Sequence, residues 1–576
     1  MGNFIRRREF IMGAASCAAT FSSFARSLRS GSASVISVAD FGALPNGKDA
    51  GPGVRMAIAQ LPSRGGATLY FPPGAYRFAL RSETLMNFNG IEGFQIQGDG
   101  ARFLFEGTPR PIAMVNCPGA QLRGFTIDWV RPPFSHGEII QVDPAGRVAD
   151  VRIDPEFPVD GSERVKALAT YERDTALMAV NGIDAYDIVD KLDRVGEQRL
   201  RLWFNRPLPL HTGDTLLLRH EVYGTNAINI DRCQKIKLVD ITIHAAPGMA
   251  ILGTQCRNIS LQNVRVLPTP GSRRLMSTTA DAVHLALCSG KIDIRDCLLT
   301  AMGDDCINAH GNYLQIQRIM SARNIAVGLS DYVPIPKIEL IPKGDHVEFV
   351  SANTLEDMAE AAVVDAQAGA SENLKLADDL PANVHPGDYL FDTSLRPLLT
   401  VSRCNFPGNR ARGVLAHSDA VIEHCHFANQ TLEAVLLTTN ARGEGPAADR
   451  VSIRDNVVED VLRSSSFSGA IRIGAFVIDG AGKSQPSKGM VNHSLEIVNN
   501  RIRSPDRMAI YASATMGLRI ERNRIEGSNG QPAIFINYVK NALIKENTCD
   551  PERGLRVTNC ESVKTQNNHG LALTSS

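Results

Sequence analysis

Three aspartates are the residues in this chain whose types and spacing could do acid/base chemistry. They sit in Ser277-Thr-Thr-Ala-Asp-Ala-Val-His-Leu285 and Ala301-Met-Gly-Asp-Asp-Cys-Ile-Asn-Ala-His310, and are Asp281, Asp304 and Asp305. Asp304 follows Asp281 by 23 positions, with Asp305 next to it. If 23 residues make one coil of a repeating solenoid, Asp281 and Asp304 lie on neighbouring coils at about the same place, roughly 5 Å apart. Carboxylates so crowded repel one another and raise at least one proton affinity, so that an acid and a base coexist near neutral pH. Cleavage of a glycosidic bond needs that division, because one group protonates the leaving oxygen while another activates water. Aspartates also cap turns and bind calcium through several oxygens, which is the competing reading of any one of them. His284 and His310 flank the cluster.

A repeat must position these groups, and the chain carries one. The pattern aliphatic-x-x-small/Asn-x-aliphatic recurs at Leu238–Ile243, Leu261–Val266, Ile453–Val458, Ile497–Ile502, Ile520–Ile525 and Ile544–Cys549. Fourth positions repeat every 21 to 24 residues where nothing intervenes, as from Cys404 to Cys425 and from Asn500 to Asn523 to Asn547. Short alternating runs at that period predict the coils of a parallel β-helix, whereas a helical solenoid needs apolar spacing of three and four. Residues 131–222 and 331–399 interrupt the repeat with Gly-Asp turns between alternating strands, and are expected to be two small inserted β-barrel-like domains. A short helix over Leu355–Ala370 is an alternative within the second. The remaining divisions are a leader over 1–30, a cap and first coils over 31–130, coils with the site over 223–330, and C-terminal coils over 400–576.

Composition narrows the partners. Across 576 residues, 61 Lys+Arg balance 61 Asp+Glu, so nothing draws the chain to nucleic acid or an anionic membrane surface. Aromatic residues make up 6%, with 2 Trp, which argues against broad aromatic platforms. The 11 cysteines show no CxxC pairing, and Cys297, Cys404 and Cys425 take the fourth place of the repeat, the place of a small buried residue. Arg6-Arg7 followed by the mildly apolar run Met12–Phe24 resembles a twin-arginine export signal with cleavage near Ser23-Phe24-Ala25, or a lipoprotein acceptor at Cys17. No later stretch approaches the ~20 apolar residues of a membrane span. The expectation is a soluble mature chain in the periplasm or outside the cell, its oligomeric state left open.

Two resemblances add to this reading. Val38–Asp49, Gly65-Gly66 and Leu69–Tyr76 resemble the cap that opens pectin-lyase-like right-handed β-helices, with Val54–Leu61 as the capping helix. Further on, Thr126–Phe134, Gly248-Met249, Arg274–His284, Gly303–His310 and Asn409–Leu415 resemble, in order, glycoside hydrolase family 110. That resemblance implies an inverting exo-α-1,3-galactosidase acting on oligosaccharides or glycoconjugates without a cofactor or metal. It implies Asp304 as general acid, Asp281 and Asp305 around the attacking water, and His310, Asn308 and Arg412 as sugar contacts. Inversion follows if acid and base stand about 6.5–9.5 Å apart across the sugar. One departure bears on specificity: the family's Trp-x-Glu-Ser-Gly-like segment is replaced by Leu437–Pro446, which offers Glu444 and no aromatic ring. The other readings open at this point are a calcium-dependent polysaccharide lyase and a glycan-binding β-helix without catalysis.

Overall fold

The computed structural model describes residues 34–575 except 80–83, 173–174, 176, 330–340, 368–371, 441–442, 465–467, 480–481, 504–506 and 528–530. The leader and Cys17 lie outside the described residues. Aliphatic residues alternate along short strands, and an alternating strand can bury only one face. The chain meets that demand by winding each strand parallel to its counterpart one coil later. Ile112, Ile228, Ile251, Val283, Ile307, Val414, Val435, Ile471, Ile510, Ile534 and Leu555 are mutual register partners in one buried column. The strands carrying six of them position the site: β1 (Ile251–Thr254), β2 (Val283–Ala286), β3 (Ile307–Asn312), β4 (Val414–Ala416), β5 (Val435–Asn440) and β6 (Gly469–Ile478). The result is a parallel β-helix.

The cap helix α1 spans Gly51–Ile58, three residues earlier at each end than Val54–Leu61. Pro52 explains the earlier start, since proline is tolerated in a helix's first turn where its missing N–H has no partner to lose. Val54 and Ala57 bury the helix against the first coil.

Both interruptions fold as antiparallel β-structure. The first is a seven-stranded sheet running from Phe134 to Arg219, with Asp184–Tyr186 and Val189–Gly196 as its edge strands. The second is a closed six-stranded barrel from Leu314 to Asp392. It begins well before residue 331 because Leu314–Ser321 runs on almost directly from β3, without a Gly-Asp turn to mark the change. Within it Asp357–Gln367 is a strand rather than a helix, with Ala361 and Val363 facing inward. Among the described residues no helix is long and apolar enough to cross a membrane.

The fourth position of the repeat is a hydrogen-bond ladder inside the coils. Asn456, Asn500, Asn523, Asn547 and Asn568 stack so that each side-chain oxygen accepts from the backbone N–H of the asparagine one coil below. Each of the first four also donates from Nδ2 to the next carboxamide oxygen at 2.9–3.0 Å. Cys425 joins the bottom of this ladder, its N–H donating to Asn456 Oδ1 at 2.9 Å. Asn523→Ala strands the donors of Asn500 in a buried turn, and is expected to cost about 2–4 kcal/mol in urea unfolding, with Asn523→Ser recovering only part of it.

Candidate active site

The site is built by the residue two places before each strand of the column. Asp281 precedes β2, Asp305 precedes β3, Arg412 precedes β4, and Glu433 precedes β5, all at that offset. Parallel register stacks them in that order. Val283 pairs with Ile307, so the coil is 24 residues long at this point. Asp281 therefore lies over Asp305, not over Asp304, which corrects the register inferred from the 23-residue spacing. The reason is the core: pairing is set by the aliphatic residues of β2 and β3, and Ala282 and Val283 donate to the carbonyls of Asp305 and Cys306 at 3.1 Å. Asp281 Oδ1 accepts the Asp305 N–H at 2.9 Å, and Asp305 Oδ1 accepts the Arg412 N–H at 2.9 Å. Asp304, one residue out of the ladder, turns into the cleft. One oxygen of each of the three carboxyls lies within 4.8 Å of the others.

Burial and charge divide the three. Asp281 is 2% exposed and Asp305 3%. Burial pushes the Asp281 carboxyl well above the usual carboxylate range, and the charge of Asp304 adds to it. Burial raises Asp305 as well, against the pull of the Arg412 guanidinium. Arg412 bridges Asp305 and Glu433, with Nη1–Oδ1 at 3.5 Å and Nε–Oε2 at 3.1 Å. Glu433 is buried too, yet Arg412, the Ser468 hydroxyl and Arg472 hold its carboxyl below the ordinary value. Asp304 accepts from the Tyr223 hydroxyl and faces Arg410, whose Nη1 is 3.4 Å away. Loss of hydration around its hydroxyl and then the Asp304 charge push the Tyr223 phenol up, although about half of the residue is exposed, so it serves as a donor.

The first inserted sheet walls the site. Asp184 takes the Arg410 Nε hydrogen bond at 2.8 Å, and the Tyr186 ring lies between two guanidiniums, with Arg219 at 4.7 Å and Arg410 at 5.1 Å from its centroid. Arg219, fully buried, donates from Nη1 to the carbonyls of Gly303 and Thr279 and so props the loop that carries Asp304. Gly303 is needed there, because a Cβ would come within 2.4 Å of the Thr279 carbonyl oxygen. The resulting cleft of about 550 Å³ is lined by Asp184, Tyr186, Tyr223, Asp304, Arg410 and Arg412, among others.

Of the residues anticipated from sequence, the three aspartates and Arg412 come together. His310 and Asn308 lie instead on the outer face of β3, buried beside the trio rather than lining this cleft. His310 is linked to it through His284, whose Nδ1 is 2.6 Å from Asp281 Oδ2 and whose Nε2 is 3.0 Å from His310 Nε2. Glu444, from the segment that departs from the family pattern, reaches the same face, with Oε2 3.7 Å from His417 Nε2. Tyr223, Arg410, Asp184, Tyr186 and Glu433 escaped the sequence reading. Arg410 stands within the quoted Asn409–Leu415 segment, and Glu433 repeats the Arg412 position 21 residues on, so both had a signal. Asp184, Tyr186 and Tyr223 lie in or beside an insertion without periodicity and had none. The carboxylate oxygens are close enough for a cation to bridge, but the positive charge facing them here is that of Arg410 and Arg412.

A family model agrees with this architecture. Residues 489–572 match the family described as "Right handed beta helix region". The chain is 24% identical over 583 residues to "Alpha-1,3-galactosidase B" of Akkermansia muciniphila, covering 92% of this chain and 72% of that protein. It is 25% identical over 536 residues to "Alpha-1,3-galactosidase A" of Shewanella woodyi, covering 86% of each. Among solved structures, an exopolygalacturonase of Thermotoga maritima aligns over 88% of this chain and 91% of that one, at 12% identity and a TM-score of 0.39. The chain is a right-handed parallel β-helix protein. More particularly, it is a distant relative, over most of its length, of proteins named alpha-1,3-galactosidase.

The buried imidazole of His417 offers a test of the polar face. Burial holds it down to about 4. An unfolded chain therefore binds a proton there that the folded chain refuses, and stability contributed by the neutral ring is lost as pH falls from about 6.5 toward 4. A His417→Leu variant is expected to lose less stability than the parent over that window, measured by urea unfolding at both ends; parallel losses would contradict the assignment.

Proposed function

We propose that this chain is an exo-acting glycoside hydrolase that releases terminal α-1,3-linked galactose from oligosaccharides or glycoconjugates, with inversion, outside the cytoplasm. The observation that carries the hydrolase reading is the carboxylate trio at the cleft, with one member open to it and two buried. Asp304, oriented by Tyr223 and Arg410, is placed to protonate the leaving oxygen. Asp281 and Asp305 stand behind it as the groups that receive the proton of the attacking water. Arg412 keeps Asp305 in line through its backbone N–H and its guanidinium. Relatives named for α-1,3-galactosidase activity supply the substrate class. Exo action is inferred from the family resemblance.

Inversion is inferred from the family resemblance. One oxygen of each of the trio's carboxyls lies within 4.8 Å of the others, tighter than the roughly 6.5–9.5 Å by which inverting pairs flank a sugar. In this reading the sugar sits over the trio, with water held against its buried members. The twin-arginine-like leader supports an extracytoplasmic site of action.

Purified protein incubated with a terminal α-1,3-galactosyl disaccharide, with and without EDTA, tests the proposal. Chelator-resistant release of galactose, first seen by ¹H NMR as the β-anomer and reduced by about 10³-fold or more in Asp304→Asn, is the expected result. A first-formed α-anomer would replace inversion with retention. EDTA-sensitive appearance of an unsaturated product from polygalacturonate would replace the hydrolase with a lyase.

A further inference from the structure

The histidines beside the trio form a chain of contacts that runs from the Gly311 carbonyl to the Asp281 carboxyl. His310 Nδ1 lies 3.1 Å from the Gly311 carbonyl oxygen, which can only accept, so Nδ1 carries the ring's hydrogen. The ring is buried and neutral, its proton affinity held down to about 4, so its Nε2 presents a bare lone pair. His284 Nε2 faces that lone pair at 3.0 Å, and two bare lone pairs at such a distance repel, so His284 must donate from Nε2. A neutral His284 then has no hydrogen on Nδ1, and the 2.6 Å contact with Asp281 Oδ2 is made by the hydrogen of a carboxylic acid. Transfer of that hydrogen would leave a carboxylate and an imidazolium with the same number of protons, and burial of both groups works against the separated charges.

We propose that His310, anchored by the Gly311 carbonyl, acts through His284 as a positioning residue that holds Asp281 in its protonated form, leaving Asp305 as the base. This rests on the hydrolase reading above and divides a role given there to both residues. Asp281 is faced by Asp304, Asp305, Arg410, Arg412 and the Tyr223 hydroxyl, and His284 by Glu444 and Asp304. His310 is faced by His284 and Glu444, and by His417, whose ring centroid is 6.2 Å away. With Asp304 holding the proton it delivers, the Asp305 and Glu444 carboxylates favour retention of a proton by the Asp281–His284 unit and the two arginines oppose it. None of them sets its direction as the Gly311 carbonyl does. In the reaction Asp304 gives its proton to the leaving oxygen while water attacks the anomeric carbon and loses a proton to Asp305. The trio's close oxygens then return that proton from Asp305 to Asp304, with the Asp281 carboxyl as the bridge, and no proton is gained or lost overall.

Infrared difference spectroscopy of the whole protein reads this without any substrate. A protonated-carboxyl C=O band at neutral pH, absent from Asp281→Asn, is expected in the parent. In His310→Phe, which keeps a ring but offers no acceptor, that band should disappear at a pH about one unit lower, a tenfold loss of proton affinity. His310→Gln, which can still accept through its amide oxygen, should fall between the two. If activity is present, the alkaline limb of kcat/KM should move with the band in each variant. A parent spectrum without the Asp281 band, or a band indifferent to His310→Phe, would overturn the proposal. Failure to release galactose would refute the function while leaving the band to decide the proton. If His310→Phe does not fold, the pH titration of the parent band against Asp281→Asn still does so.

Discussion

Everything in this protein depends on in-register parallel pairing between successive coils. The aliphatic column from Ile112 to Leu555 is held by hydrogen bonds along the coil axis and by side chains that meet their like one coil above. Side chains alternate across a strand, so a slip of one residue would turn each strand's buried set toward solvent. That penalty makes the register rigid, and the rigid register aligns residues that are far apart in sequence. Asp305 and Arg412 are separated by a whole barrel, yet they are adjacent rungs because Ile307 pairs with Val414.

The ladder so formed alternates in charge where it can. Asp281 and Asp305 are neighbouring carboxyls, and the rungs beyond them are Arg412 and Glu433, with Ser468 and Arg472 closing the series. Two carboxyls stacked in a dry turn cannot both ionise freely, while Glu433, enclosed by two guanidiniums, can. One ladder thus keeps protons at one end and expels them at the other. Asp304, out of register by one residue, escapes the stack and reaches the cleft.

The insertions have different relations to this ladder. The first sheet sends Asp184, Tyr186 and the buried Arg219 to the loop of Asp304, so the cleft wall and the support of the reactive loop come from the same element. The barrel departs from the far end of β3, beyond His310, on the other side of that strand from the reactive turn that precedes it in sequence. Glu444, antiparallel to the end of β3, closes the polar face between them.

By itself the sequence determined the repeat, the parallel β-helix, the fact of two β-insertions, and the grouping of Asp281, Asp304 and Asp305. These follow from local periodicity and from residues at fixed places in a coil, which a linear reading can count. The tertiary structure alone decided which aspartate stacks on which, since a coil of 23 or 24 residues differs only in how the core of β2 meets that of β3. It also decided that Tyr223, Arg410 and Tyr186 share the cleft and that His310 stands behind the trio. Those contacts join segments whose separation along the chain obeys no period, and only the packing of one element on another brings them together.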